Sequence, residues 1–295
     1  MGAPRVVCAG HVNWDVTLYV DRLPSADGEA AIVDQHQSGG GSASNTAFVL
    51  STLGLSSVLV GSTGEDKYGS LVREELAEAG VDTTHLTSVP GAVTTVKYLV
   101  VDESGQVMVL ANDGANEAFD TASVPDDAIE RADHLHLTSQ RPETAQALAE
   151  RAVEAGVPVS FDPGRRLDCR EYEPVFRLAD VVLLNESEAA ATKQSAALES
   201  RDGITVIKRG SDGATATVDG RAVAHDGFGT EPVDTTGAGD AFAAGFIAGQ
   251  LDGTSLETAV AVGNACGALA TQTAGARVAI TWDDIEDLLD RTVPE

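Results

Sequence analysis

Positive charge is scarce in this chain. Lysine and arginine together number 19 against 46 aspartates and glutamates, a formal net charge of -27 over 295 residues. Such a balance offers no basic face to phosphates and excludes nucleic acid as a partner. Only four of the bases are lysines: Lys67, Lys97, Lys193 and Lys208. Cysteine is as sparse, with Cys8, Cys169 and Cys266 widely spaced and outside any metal-ligand pattern. Buried, reduced thiols are expected, not disulfides or a zinc site. Long apolar runs are also missing, and the first residues lack a signal-peptide pattern, so the expectation is a cytoplasmic protein with no membrane partner.

What is present can build a core. Hydrophobic residues make up 43% of the chain and glycines number 30, enough for one large domain with a smaller appendage. The acids are dispersed between apolar elements, unlike those of a disordered acidic protein. Few lysines and many scattered carboxylates suit a salt-rich cytoplasm, where screening weakens self-repulsion.

The chemistry centres on Asp234-Thr235-Thr236-Gly237-Ala238-Gly239-Asp240. A strand and turn are expected at Phe228 to Val233 and an apolar helix at Ala241 to Leu251, so three small residues fall where a helix begins. The first N–H groups of a helix have no partner within it and carry the positive end of its dipole, which makes this an anion site. Gly237 and Gly239 allow close approach of a phosphate to the backbone. A carboxylate there repels an anion unless it takes a proton from the nucleophile attacking it. That reading is phosphoryl transfer, with Asp240 as base; the alternative is a turn followed by a favourably placed acid.

Further polar groups fall at strand ends. Arg5 to Gly10 reads as a strand opening into Asn13 and Asp15, which face one side of an extended segment and can share a polyhydroxy ligand, or simply make a turn. Ser38 to Asn45 carries Gly39, Gly40 and Gly41 into a helix from Thr46, with Asn45 either binding a ligand or capping the helix. This is not a P-loop, and no G-x-G-x-x-G follows the first strand, which argues against a dinucleotide-dependent oxidoreductase. Val93 to Val101 and Gln106 to Leu110 form a β-hairpin that breaks a strand–helix rhythm otherwise typical of a parallel sheet. His134 and His136 alternate on one strand, where packing is favoured over a metal pair. Arg165 and Arg166 are either solvated or grip a substrate anion. Asn185 and Glu188, three apart at a helix start, match a capping box. Lys208, ahead of the glycine turn with Gly210 and Gly213, is placed to meet nucleotide phosphate. Asn264 lies in a small-residue helix expected over Leu256 to Ala274.

Taken together, Asn13 and Asp15, Gly40 to Asn45, Asn185 and Glu188, and Asp234 to Asp240 resemble, in order, the motifs of the ribokinase-like (PfkB) sugar kinases, and the resemblance spans nearly the whole chain. The acidic, lysine-poor composition resembles that of halophilic archaeal proteins. The family resemblance implies an α/β fold, a three-layer αβα sandwich with a mainly parallel sheet (1–13, 38–92, 113–295) and a small β-sheet lid (14–37, 93–112). It implies phosphorylation of a primary hydroxyl by ATP with Mg²⁺, on ribose, ribose 1-phosphate or a nucleoside, with fructose-type or keto-deoxy sugar acids as alternatives. Asp240 is then the base, and Gly237, Ala238, Gly239 and Asp240 form the anion hole. Asn13, Asp15, Gly40, Gly41 and Asn45 hold the sugar. Asn185, Lys208, Gly210, Gly213, Gly237, Gly239 and Asn264 face the nucleotide. Asn185 and Glu188 organise the water shell of Mg²⁺, which keeps most of its waters. Asp234, Thr236, Thr273 and Gly275 surround K⁺ in members that need it, although Ala279 stands where a Ser is common. A lid-to-lid homodimer fits exposed strand edges. A silent sugar- or nucleotide-binding regulator on the same fold is the reading from another class, and the presence of Asp240 opposes it.

Overall fold

A computed structural model describes residues 2–192, 195–199 and 201–290; Lys193 lies outside the described residues. Its strands are Arg5–Ala9 (β1), Asn13–Val20 (β2), Ile32–Gly40 (β3), Ser56–Gly64 (β4), Leu86–Val89 (β5), Thr95–Asp102 (β6), Val107–Ala111 (β7), His134–Thr138 (β8), Val159–Asp162 (β9), Val181–Asn185 (β10), Ile204–Lys208 (β11), Ala214–Val218 (β12) and Arg221–His225 (β13).

β1 shows why helices cover both faces of the main sheet. Successive side chains of a strand point to opposite faces. Val6 and Cys8 accordingly join one apolar cluster, with Leu50, Ala244 and Cys266, while Val7 and Ala9 join another, with Leu148, Phe161 and Phe176. The two clusters are the two seams of an αβα sandwich. A strand buried on both faces reads as a near-continuous apolar run, as β1 and β10 do. The sheet order is β13-β12-β11-β10-β9-β8-β1-β4-β5. From β11 to β5 neighbouring strands are parallel, and β12 and β13 close the other edge as an antiparallel hairpin turning at Asp219 and Gly220. A second sheet, β3-β2-β6-β7, stands apart from the first. β2 and β3 rise from the main body into it, and β6 pairs with β2 in parallel.

Several boundaries differ from the sequence reading. The glycine run extends β3 through Gly40, and the helix begins at Ser42, with Gly41 as its uncapped N-terminal residue. Asn45 therefore lies inside the helix Ser42–Thr52 and does not cap it. Phe228 to Val233 is not a strand. The chain leaves the sheet after His225, whose carbonyl accepts a hydrogen bond from Asn264 Nδ2 at 2.9 Å. The helix expected to reach Ala274 stops at Ala270. Beyond it, the Thr271 carbonyl accepts the N–H groups of Val233 and Asp234, at 2.8 and 3.2 Å, so residues 271–276 pack as a loop against the Asp234 turn. β5 was not legible in the sequence, and the helix after the central motif starts at Ala238, three residues earlier than expected. Among the described residues no helix is long and apolar enough to cross a membrane.

Candidate active site

Three adjacent parallel strands end on polar residues: β9 on Asp162, β10 on Asn185 and β11 on Lys208. The carboxyl ends of such strands are where open α/β sheets bind ligands. Lys208 Nζ lies 2.5 Å from Asp162, with both side chains largely buried. Burial works against the ammonium, but Asp162, Glu188 and Asp240 hold it charged and raise its pKa. Asn185 and Glu188 form a complete capping box: Asn185 Oδ1 accepts from Glu188 N at 2.8 Å, and Glu188 Oε2 accepts from Asn185 N at 2.8 Å. The Glu188 pKa is raised, first by burial and then by the charge of Asp162. Arg165 lies close enough to Glu188 to act on that carboxylate as well.

The helix Ala238–Leu251 enters this cluster from the side. Its N-terminal residue Gly237 has φ 78°, no side chain caps it, and a Cβ at that position would collide with the Ala276 carbonyl. Only glycine fits there. Of the expected anion-hole groups, the Ala238 N–H turns back to the Thr235 carbonyl at 3.3 Å. Gly239 is exposed, and a Cβ there would stand 3.4 Å from Lys208 Nζ. Asp240 falls in the first turn, where Asn45 Nδ2 donates to its Oδ2 at 2.8 Å. Burial raises its pKa most, Asn45 and the two lysines Lys208 and Lys97 oppose that, and Asp162 adds to it. The result is a carboxylate more basic than usual, as a proton acceptor requires.

The other side of the pocket is built from β2 and the glycine run. Asn13 pairs with Gly40 in the β2–β3 ladder and Asp15 with Ser38. A Cβ on Gly40 would collide with the Asp15 carboxylate, and one on Gly41, at φ 99°, with the His11 carbonyl. Asn13 Oδ1 accepts from Asn116 Nδ2 at 2.6 Å. Asn13 Nδ2, Asp15 Oδ1 and Asn45 Oδ1 are buried and have no protein partner. Buried polar groups are nearly always satisfied, so these three orphans, in the same neighbourhood as the Asp240 carboxylate, suit a ligand rich in hydroxyls.

Asp234 ties the neighbouring loop together: Oδ1 accepts from Thr236 N at 2.8 Å and Oδ2 from Gly275 N at 3.0 Å. Asp234, Thr236 and Gly275 are thus brought together, while Thr273 and Ala279 are exposed. Gly213, at φ 80°, would clash with the His225 carbonyl if it carried a Cβ, and Gly210 lies in the preceding turn. Among the described residues no three His, Cys, Asp or Glu side chains gather as direct metal ligands. His134 and His136 share the Ser160 hydroxyl, at 2.7 and 2.8 Å, and burial lowers both pKa values to about 3. They are neutral core residues.

The model of the pfkB family carbohydrate kinases matches residues 3–283. The chain belongs to that family. It is 50% identical to the ATP-dependent ribose-1-phosphate kinase of Halopiger xanaduensis, over 97% of this chain and 98% of that protein. It is 30% identical to a nucleoside kinase of Methanothermobacter thermautotrophicus, over 86% of this chain and 84% of the relative. Arabidopsis thaliana ribokinase complexed with ribose and ATP superposes with a TM-score of 0.87 at 25% identity, covering 98% and 99% of the two chains. This PfkB chain is an ATP-dependent carbohydrate kinase.

Within the kinase, several residues of the pocket were not singled out from sequence. Asp162 was passed over in favour of the arginines that follow it, although its place at a strand end, like that of Asn185, was a usable signal. Arg277 gave none. Its side chain is fully buried, 3.3 Å from Glu75 and 2.9 Å from the Ser44 hydroxyl, and lies against Gly39 beneath the glycine run. Its charge also acts on Asp15. Asn116 and Glu117, in the segment after β7, meet Asn13 and His11.

Proposed function

We propose that this kinase transfers the γ-phosphoryl group of ATP to the primary hydroxyl of a ribosyl substrate, ribose 1-phosphate foremost. The observation that carries this reading is the set of orphaned polar atoms on Asn13, Asp15 and Asn45 beside the raised carboxylate of Asp240. Asn13 and Asp15 orient the sugar. Asp240 takes the proton of the attacking hydroxyl, while the start of the helix Ala238–Leu251 and Lys208 stabilise the negative charge of the moving phosphoryl group. The 50% identical relative supports ribose 1-phosphate as the acceptor.

The residues also fit a hydrated Mg²⁺ on the nucleotide side. Asp162 and Glu188 are carboxylates close enough for one to raise the other's pKa, an excess of negative charge that a cation relieves. With Asn185, they would hold Mg²⁺ through its waters, and the ion would neutralise phosphate oxygens. Asn264 is proposed to meet the base from the helix Leu256–Ala270, and Gly210 and Gly213 to shape the nucleotide loop. The Asp234, Thr236 and Gly275 cluster, with Thr273, is proposed to hold K⁺. The small sheet serves as a lid, and through it the kinase forms a homodimer. Release of ADP with Mg-ATP at high KCl, across ribose, ribose 1-phosphate and several nucleosides, tests the reading. Turnover that disappears in Asp240→Asn is the expected result; equal turnover by that variant would overturn the assignment of the base.

A further inference from the structure

Of the lysines among the described residues, Lys67 is on the surface and Lys208 pairs with Asp162, whereas Lys97 has neither a hydrogen bond nor an ion pair. An unpaired, half-buried ammonium is unexpected in a chain with 46 acidic residues. Its place is specific. Lys97 sits on β6 directly opposite Asp15 in the parallel β2–β6 register, and paired residues of neighbouring strands share a face. Its charge acts on Asp15, Asp240 and His11, so it belongs to the pocket that holds the orphaned atoms.

A second cation reaches the same neighbourhood from the other side. The Arg166 guanidinium, on the loop after β9, is 3.1 Å from the exposed Asp113 and 3.6 Å from Glu117, and its charge also acts on His11. Glu117 is already engaged: Arg170 binds it through two hydrogen bonds, at 2.8 and 3.0 Å, and His11 Nε2 lies 2.6 Å away. Arg141 adds a further guanidinium at 3.7 Å. Three arginines therefore face Glu117 and Asp113, an excess of one positive charge in a strongly negative protein, beside Lys97, which faces Asp15 and Asp240. Such an excess awaits an anion.

We infer that Lys97 and Arg166 form a subsite for a phosphate already carried by the sugar, and that Lys97 makes the kinase prefer a sugar phosphate to a free sugar or a nucleoside. The inference rests on the ribosyl-kinase reading above and deepens it. Lys97 is the direct contact, since its ammonium has no competing partner. Arg166 closes the subsite by giving up its exposed contact with Asp113. The location on the lid strand means that the substrate's phosphate draws the lid down as it binds.

The test compares the wild type with Lys97→Met and Arg166→Gln. kcat/KM is measured on ribose 1-phosphate, ribose and adenosine, and thermal protection by ribose 1-phosphate is measured without nucleotide. Loss of one charge-assisted contact is expected to cost roughly 10- to 100-fold. The ratio of kcat/KM for ribose 1-phosphate to that for ribose should fall by that factor in Lys97→Met, mainly through KM. The upward shift in melting temperature given by ribose 1-phosphate should shrink in both variants. An unchanged ratio with protection intact overturns the subsite. An equal fall on all three substrates also overturns it, because Lys97 would then serve the chemistry and not the phosphate. A wild type that turns over ribose or adenosine but ignores ribose 1-phosphate defeats the underlying substrate reading instead, and that result is read before either variant is made.

Discussion

Asn45 Nδ2 donates to Asp240 Oδ2 at 2.8 Å, across 195 residues of chain. The contact joins the helix that follows the glycine run to the helix that follows the central motif, so the elements proposed to hold sugar and phosphate meet on the proposed base. Burial raises the pKa of that carboxylate, and this contact holds it down, because a hydrogen bond to the charged form favours it.

Removing that donor should move the pH profile. Asp240 accepts a proton only when ionised, so activity falls as pH drops through its pKa, which burial has raised and Asn45 holds down. Asn45→Leu should shift the acid limb of kcat/KM to higher pH. Asp240→Asn should lower kcat by roughly 10²- to 10⁴-fold. A limb unmoved by Asn45→Leu would show that another group titrates there.

The pair beneath the pocket gives shifts of opposite sign. Lys208 lowers the Asp240 pKa and Asp162 raises it. Lys208→Met should therefore move the acid limb upward and Asp162→Asn should move it downward. Each variant leaves a buried charge without its partner, at a cost of about 3 kcal/mol by urea unfolding. Shifts in the same direction would mean that the variants act through structure alone.

His134 and His136 make the fold acid-sensitive. Both pKa values are depressed from 6.5 to about 3 in the folded state, so both rings are neutral there and take up protons on unfolding. Their contribution is fully present above pH 6.5 and is lost as pH falls from there toward about 3. Two such groups steepen the loss by about 2.7 kcal/mol per pH unit below the unfolded pKa. Unfolding free energies at successive pH values, compared with a His134→Gln/His136→Gln double variant, check this; equal slopes would refute it.

Both edge strands of the small sheet carry exposed apolar side chains: Ile32 and Val33 on β3, and Val107 to Leu110 on β7. Unpaired edges of this kind invite another chain. Light scattering is expected to show a dimer for the wild type and a monomer for Val33→Asp/Leu110→Asp. A monomeric wild type rules the proposed interface out.

The parts that were legible in the sequence were those with local signatures. Strands buried on both faces appear as apolar runs, the β12–β13 hairpin announces itself through Asp219-Gly220, and Asp240 stands out because an acid at an anion site demands a reason. Where the pattern is short or shared, the reading failed: β5 has only four residues, and the glycines that mark a turn in sequence instead continue β3, because Gly40 must lie against Asp15. The contacts of Arg277 with Glu75 and Ser44, and of Asn116 with Asn13, join distant segments. Nothing in the local sequence encodes such partners. Asn185 and Glu188 fulfil the capping geometry beside Asp162 and Lys208, and that geometry is compatible with the part proposed for them on the nucleotide side.

β2 and β3 each leave the main body at a residue of the pocket, Asn13 and Gly40, which pair with one another. If the proposed sugar site is right, the small sheet is a lever whose pivot lies at that site. β2 extends from Asn13 to Val20, and at about 3.4 Å per residue a rocking motion of some ten degrees sweeps its far end through roughly 4 Å while the pivot hardly moves. A lid hinged in this way would open to exchange substrate and product without dismantling the proposed contacts to the sugar, and each closing stroke would start from a grip already assembled.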